Sequence, residues 1–214
     1  MALTLILGNK NYSSWSLRPW ILLKMLDIPF DEIVVPLYGP DSKEKLLQYS
    51  PKGQVPVLKD FDLTVWDSLA IMEYIAESFP DKKAWPQDKA DRANARSISA
   101  QMHSSFDAIR NTLPMNCKKQ MKFTDISADL QQDIDEVCAI WQHCLSQSNG
   151  DFLFGEFSIA DAMYAPVVLR FDSYGIEVGQ LQQAYIDTML ALPGMQQWIE
   201  AGKAEEWAIE QAEI

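Results

Sequence analysis

The chain has 214 residues, 48 % of them hydrophobic, which is enough for one large or two small domains with a substantial core and excludes disorder as its resting state. A formal charge of −12 and a pI near 4.5 oppose binding to nucleic acid or to an anionic membrane surface, since both demand clustered cations. Any anionic ligand must therefore be held by a local site.

Leu3 to Leu7 reads as a first strand. Asn11-Tyr12-Ser13-Ser14-Trp15-Ser16-Leu17-Arg18 follows as the loop into a first helix, with Pro19 in its first turn, and Phe30 to Pro36 reads as a second strand. The apolar runs Val55 to Leu58 and Leu63 to Trp66, bounded by polar turn residues, predict a hairpin. Helical spacing then takes over. Ser68 can cap a helix beginning at Leu69, where Leu69, Met72, Ile75, Ala76 and Phe79 recur at steps of three and four. Pro80 to Pro86 is a proline-bounded polar linker. Strand-like and helix-like segments alternate before it and only helical ones follow, so the expected domains are residues 1–80 and 87–214. From Asp91, the residues Ala95, Ile98, Met102, Phe106, Ile109 and Leu113 predict one long amphipathic helix, and Leu130, Ile134, Val137, Cys138, Trp141 and Leu145 predict another. Pro114 and the stretch Cys117 to Lys122 form a loop between them. Ser158 and Asp161 have the spacing of a capping box, Pro166 is expected to bend the helix that follows, and a last helix from about Met195 leads to an acidic tail at Glu205-Glu206.

Several chemistries are excluded. The cysteines, Cys117, Cys138 and Cys144, make no CxxC or zinc pattern, and their odd number points to reduced thiols in a cytosol. The opening MALTLILGNKNYSSW lacks a basic n-region and a long apolar run, so a soluble, cytoplasmic protein is expected. With no GxGxxG or GxxxxGK loop, no HExxH and only His103 and His143, neither a nucleotide site nor a metal centre is expected. A serine hydrolase lacks its GxSxG elbow, and a glutaredoxin-like reductase lacks a cysteine in the first loop.

Residues Ser50 to Ile75, SPKGQVPVLKDFDLTVWDSLAIMEYI, join a Gln-Val-Pro turn to the hairpin and then to an Asp-Ser helix start. With the first strand and serine loop ahead of it, and Ser158-Ile159-Ala160-Asp161 far behind, this order resembles the cytosolic glutathione transferases. The likeness covers nearly the full chain, and the order and spacing of the motifs carry it. It is closest to a serine-type bacterial member with zeta-like and theta-like features. It implies an α/β thioredoxin-like N-terminal domain followed by an all-α helical C-terminal domain. It implies glutathione as co-substrate, no metal, a small apolar electrophile, and a cytoplasmic homodimer serving detoxification. A maleylacetoacetate-type cis–trans isomerase, peroxide reduction and a non-catalytic interaction module of the same fold are the alternatives.

The chemistry so implied is activation of a bound thiol, which attacks only as thiolate. A hydroxyl donating to sulfur at the start of the first helix would favour that form. Counting back from Arg18, the Ser-x-x-x-Arg pattern selects Ser14, with Ser13 second and Tyr12 third; zeta-like alignments shift toward Ser13 or Asn11, and Ser16 reads as a helix cap. The glutamyl ammonium and carboxylate match Asp67 and the Ser68 amide and hydroxyl. If the Val55–Pro56 bond is cis, the Val55 backbone can pair with the cysteinyl backbone as an added strand. Gln54 and Lys52 are the candidates for the glycine carboxylate. Arg18 would neutralise Asp67 or another buried carboxylate, or lie at the surface. The electrophile would sit between the domains against Trp15, Met102, His103 and Phe106, although core packing comes first for Met102 and Phe106 and a satisfied structural role first for His103.

Overall fold

The computed structural model describes residues 3–213. Its first part is a four-stranded sheet built from β1 (Leu3–Leu7), β2 (Phe30–Val34), β3 (Val57–Asp60) and β4 (Leu63–Trp66), in the order β2-β1-β3-β4. β1 runs parallel to β2, and the crossover between them is α1 (Ser14–Met25). β3 pairs antiparallel with both β1 and β4, with Ile6 opposite Val57 and Leu58 opposite Val65. A short helix, α2 (Ser42–Leu47), precedes the Val55–Pro56 bond, which is cis. α3 (Ser68–Ser78) ends this part. A mixed sheet flanked by helices, followed by helices alone, is the thioredoxin-like and all-α arrangement expected.

The strands begin and end where the backbone requires. β3 starts at Val57 and not at Val55, because Pro56 has no N–H for a ladder, and β2 stops at Val34, two residues before Pro36. Pro19 lies inside α1 as its sixth residue and not in its first turn, so it leaves the Trp15 carbonyl without an intrahelical donor.

The helical part comprises α4 (Lys89–Ser104), α5 (Asp107–Thr112), α6 (Ala128–Gln147), α7 (Ile159–Ser173), α8 (Gln180–Ala191) and α9 (Pro193–Ala204). The single helix expected from Asp91 to Leu113 is broken. Ser105 is extended and Phe106 left-handed, with φ 66°. Tertiary hydrogen bonds explain the break: Arg110 donates to the Met102 and Ser105 carbonyls at the end of α4, and Asp133 Oδ2 accepts from the Ile109 amide at 3.1 Å. These partners replace the intrahelical bonds that an unbroken helix would have made, and the apolar period still runs through the break.

α7 is the centre of the helical part. Every residue from Ile159 to Phe171 is buried, so it is a core helix with no solvent face. Its N-terminus is fixed by Asp161, fully buried, which accepts from the Ser158 amide (2.9 Å), the Ser158 hydroxyl (3.0 Å), the Leu153 amide (3.1 Å) and the Tyr185 hydroxyl (3.1 Å). The expected reach of Asp161 back to Ser158 is therefore present, and the same carboxylate also ties in α8. Trp141 of α6 stacks edge-on with Tyr164 and Tyr185 beside it.

Removing the Asp161 carboxylate should leave two buried amides and two buried hydroxyls without this acceptor, so Asp161→Ala is expected to cost about 3 kcal/mol in urea denaturation at neutral pH. Burial raises this carboxyl to about 6 from the ordinary 3.8, against the pull of its four donors. The folded chain thus holds a proton that the unfolded chain has lost between about pH 4 and 6. Its contribution to stability is greatest below that window and declines as pH rises through it, a slope that Asp161→Asn should abolish.

Candidate active site

α1 presents its N-terminus at the seam between the sheet and the helices, where it packs against α7, α3 and α9. Ser13 is the N-cap: its hydroxyl accepts from the Ser16 amide and donates to Ser16 Oγ at 2.7 Å, and Ser16 Oγ in turn accepts from the Gly8 amide at 3.1 Å. Ser16 is fully buried in this chain of bonds. The hydroxyls of Ser13 and Ser16 are thus occupied in holding the turn. Ser14, the first residue of the helix, makes no side-chain hydrogen bond among the described residues.

The loop ahead of α1 is clamped from the far end of the chain. Glu205, just past α9, accepts from the Lys10 amide (2.6 Å) with one oxygen and from the Asn11 amide (3.0 Å) with the other. Lys10 Nζ pairs with Glu32 on β2, and the Asn11 carbonyl accepts from the Cys117 amide at 3.3 Å. Gly202 permits this approach, because a Cβ there would lie 3.1 Å from the Asn11 amide nitrogen and the Cys117 sulfur. Tyr12, the third hydroxyl candidate, donates to Glu213 Oε1 at 2.5 Å, and burial together with that bond raises its pKa.

The second helix N-terminus faces the same seam. Asp67 has φ 76° and caps α3 through Oδ1, which accepts from the Leu69 (2.9 Å) and Ala70 (3.2 Å) amides. Its Oδ2 lies 2.6 Å from His103 Nε2. Asp67 thus arrives with its acceptors engaged. Ser68 is buried and its hydroxyl has no partner. Among the described residues, neither the N–H nor the C=O of Val55 is hydrogen-bonded. Gln54 and Lys52 are exposed beside it.

Across the seam, Trp15 meets the His103 ring edge-on, with centroids 5.3 Å apart. The placement of Met102 and Phe106 needs correction: they are 1 % and 3 % exposed and pack into the hydrophobic core, so they support the seam from behind. What lies beside Trp15 is cationic. The guanidinium carbons of Arg18 and Arg110 are 4.2 and 4.8 Å from its ring centroid. Arg18 is fully buried, so it is not at the surface, and it makes no ion pair with Asp67 or with another carboxylate among the described residues. Sequence reasoning missed Arg110 and Glu205 as residues of the site. No local pattern marks them, since each acts on a segment about 90 to 190 residues away or on a helix break that periodicity does not reveal.

Burial pushes the Cys117 thiol up to about 12 and those of Cys138 and Cys144 to about 11. No cysteine is therefore poised as a thiolate nucleophile near neutral pH. A thiolate at this seam has to be brought by a ligand. Among the described residues no group of three or more His, Cys, Asp and Glu is placed to hold a metal ion, and no helix is long and apolar enough to cross a membrane.

Two family models match the chain, "Glutathione S-transferase, N-terminal domain" over residues 12–78 and "Glutathione S-transferase, C-terminal domain" over residues 123–201. The chain belongs to the glutathione S-transferase family, and with it to the glutathione-dependent transferase and isomerase enzymes. It is 28 % identical over 169 residues to a probable maleylacetoacetate isomerase of Caenorhabditis elegans, covering 78 % of each chain. It is 29 % identical over 167 residues to the maleylacetoacetate isomerase of Rattus norvegicus, covering 77 % of this chain and 76 % of that one. Among solved structures, a glutathione transferase homologue from Burkholderia with bound glutathione superposes with a TM-score of 0.74 at 22 % identity, covering 96 % of this chain and all of that one. A diazinon-metabolizing glutathione S-transferase of the silkworm Bombyx mori does so with a TM-score of 0.73 at 19 % identity, over 95 % and 98 %. At those identities the structural likeness establishes the fold.

Glu205 holds two consecutive amides of the loop, so Glu205→Ala should speed hydrogen exchange at Lys10 and Asn11 while core amides keep their protection. Because displacing a reacting group by a fraction of an ångström is costly, turnover should fall by about 10- to 100-fold.

Proposed function

We propose that the chain binds glutathione across the α1 and α3 N-termini and activates its thiol as thiolate for attack on a small electrophile. The observation that carries this reading is the free Ser14 hydroxyl at the first position of α1, beside Ser13 and Ser16 hydroxyls that are bonded to each other. A hydroxyl without a competing acceptor, at the positive end of a helix, donates to sulfur more strongly when the sulfur is ionised. Ser68 supports the other end. Its buried, unpartnered hydroxyl at the N-terminus of α3 suits the glutamyl carboxylate, and Asp67 beside it suits the ammonium, which would share Oδ2 with His103. The open Val55 backbone suits the cysteinyl unit, and Lys52 or Gln54 the glycine carboxylate. The glutathione bound in the Burkholderia structure supports glutathione as the ligand.

A second reading has a specific observation behind it: the relatives that match over three quarters of the chain include several named maleylacetoacetate isomerase, beside one named glutathione S-transferase. In such a reaction glutathione adds to a cis double bond and leaves after rotation, and the same thiolate serves both reactions. An assay of a maleyl ketone with and without glutathione separates the two. We also assign the chain to the cytoplasm as a homodimer, with residues 1–80 binding glutathione and 87–214 supplying the electrophile side. The edge strand β4 and its turn expose Phe61 (74 %), Leu63 (47 %) and Trp66 (44 %), an apolar edge suited to a partner subunit. Light scattering should give twice the 24.3 kDa chain mass at micromolar concentration, and a monomer mass would refute the assembly.

Ser14→Ala should raise the pKa of the bound thiol and lower turnover about 100-fold while leaving glutathione affinity nearly intact. Ser13→Ala should instead loosen the loop without that selective shift. Asp67→Ala should weaken glutathione binding by at least about 1.5 kcal/mol in calorimetry. A thiol pKa that moves with Ser13 and not with Ser14 would transfer the role to Ser13.

A further inference from the structure

Three guanidinium groups converge near the seam in a chain of net charge −12, and none forms an ion pair among the described residues. Arg110 gives its hydrogen bonds to the Met102 and Ser105 carbonyls, and Arg170 gives its own to those of Leu113 (2.7 Å) and Pro166 (3.3 Å). Arg18 is different. Its Nε donates to the Met163 carbonyl at 3.2 Å, but Nη1 and Nη2, both buried, have no partner at all. Asp67 acts on it through space, yet that carboxylate is already occupied by two amides and His103. Burial pushes all three arginines below their ordinary range, and the charge of neighbouring guanidinium groups adds to it at Arg18 and Arg170. A buried cation without a counter-charge is strongly unfavourable, and an anion that fits it recovers that loss.

We propose that Arg18, with Arg110 at the same Trp15 ring, anchors a carboxylate of the electrophilic substrate, so that the enzyme selects carboxylate-bearing electrophiles over neutral ones. The two free nitrogens of Arg18 form a fork that matches the two oxygens of a carboxylate, whereas a thiolate offers one centre. Glutathione's own carboxylates have candidates elsewhere, at Ser68 and at Lys52 or Gln54. Trp15, His103 and Arg110 are each partly exposed, so the anion approaches from their side and the indole shifts to admit it. This assignment replaces the apolar electrophile expected from family likeness. It rests on the glutathione-dependent reading of the adjoining serine loop.

The test compares two aryl chlorides, 4-chloro-3-nitrobenzoate and 1-chloro-2,4-dinitrobenzene. With each, the glutathione thiolate forms a carbon–sulfur bond and chloride leaves with the electron pair of the broken carbon–chlorine bond. Rates are corrected for reaction with free glutathione. In Arg18→Met the ratio of kcat/KM for the benzoate to that for the neutral substrate should fall at least tenfold, mainly through KM. Arg18→Lys, which keeps charge but not the fork, should recover part of it, and glutathione affinity should stay within twofold. An unchanged ratio, or a loss of glutathione affinity of the same size, overturns the proposal. Calorimetry with succinate on the unliganded protein separates this proposal from the transferase reading, since it needs no turnover: wild type should bind it more tightly than Arg18→Met. Equal binding overturns the anion site even if transferase activity is found, and tighter wild-type binding upholds it even if none is found. Should Arg18→Met fail to fold, the comparison of wild type with Arg18→Lys decides the proposal by the same outcomes in both assays.

Discussion

Burial of α1 is the constraint on which the rest of the structure depends. Nine of its twelve residues are buried, and it is held between the sheet on one side and α7 and α9 on the other. A helix in that position cannot present a conventional polar face, so its polar residues are either bonded into the fold or free for a ligand. Ser16 belongs to the first kind, Ser14 makes no side-chain hydrogen bond among the described residues, and Arg18 is bonded through Nε alone. The Arg18 Nε bond to Met163 on α7 joins the two helices with a charged group at their interface, next to the place where chemistry is expected.

The position of the serine loop is set by long-range contacts and not by the loop itself. Glu205 and Glu213 reach it from the C-terminal segment, and Cys117 and Lys118 bind Asn11 from the loop before α6. Two segments distant in sequence thus meet the loop over Lys10, Asn11 and Tyr12. An acidic chain uses two of its carboxylates here as acceptors for backbone and tyrosine donors, where their charge assists a hydrogen bond and compensates loop amides. The tail is thereby part of the frame that fixes where α1 begins.

Electrostatics at the seam run against the composition of the chain. The chain is acidic, yet Arg18 and Arg110 lie at the Trp15 ring with Arg170 buried near them, and each donates to at least one backbone carbonyl. Arg110 and Arg170 act structurally: the former ends α4, and the latter ties α7 to the Leu113 carbonyl after α5. Their charges nevertheless remain, and they shape a field that favours an incoming anion. The same desolvation that strengthens their hydrogen bonds also leaves their charge unscreened.

The sequence by itself determined the element types and most of their places. β1, β4, α6 and the Ser158–Asp161 pair follow from alternation, from the period of three and four, and from capping spacing, all of which are local. It also marked the serine loop and the Asp67-Ser68 helix start, because helix N-termini are written in neighbouring residues. Only the tertiary structure decided the break at Phe106, which local periodicity runs straight through and which Arg110 and Asp133 impose through side chains that periodicity does not read. It alone separated Ser14 from Ser13 and Ser16, since three serines in four positions are equivalent until hydrogen bonds are assigned. It also withdrew Met102 and Phe106 into the core and brought Arg18 and Arg110 to one indole ring across 92 residues. Apolar burial is encoded by pattern, but the pairing of buried polar groups depends on which distant segments the folded chain brings within about 3 Å.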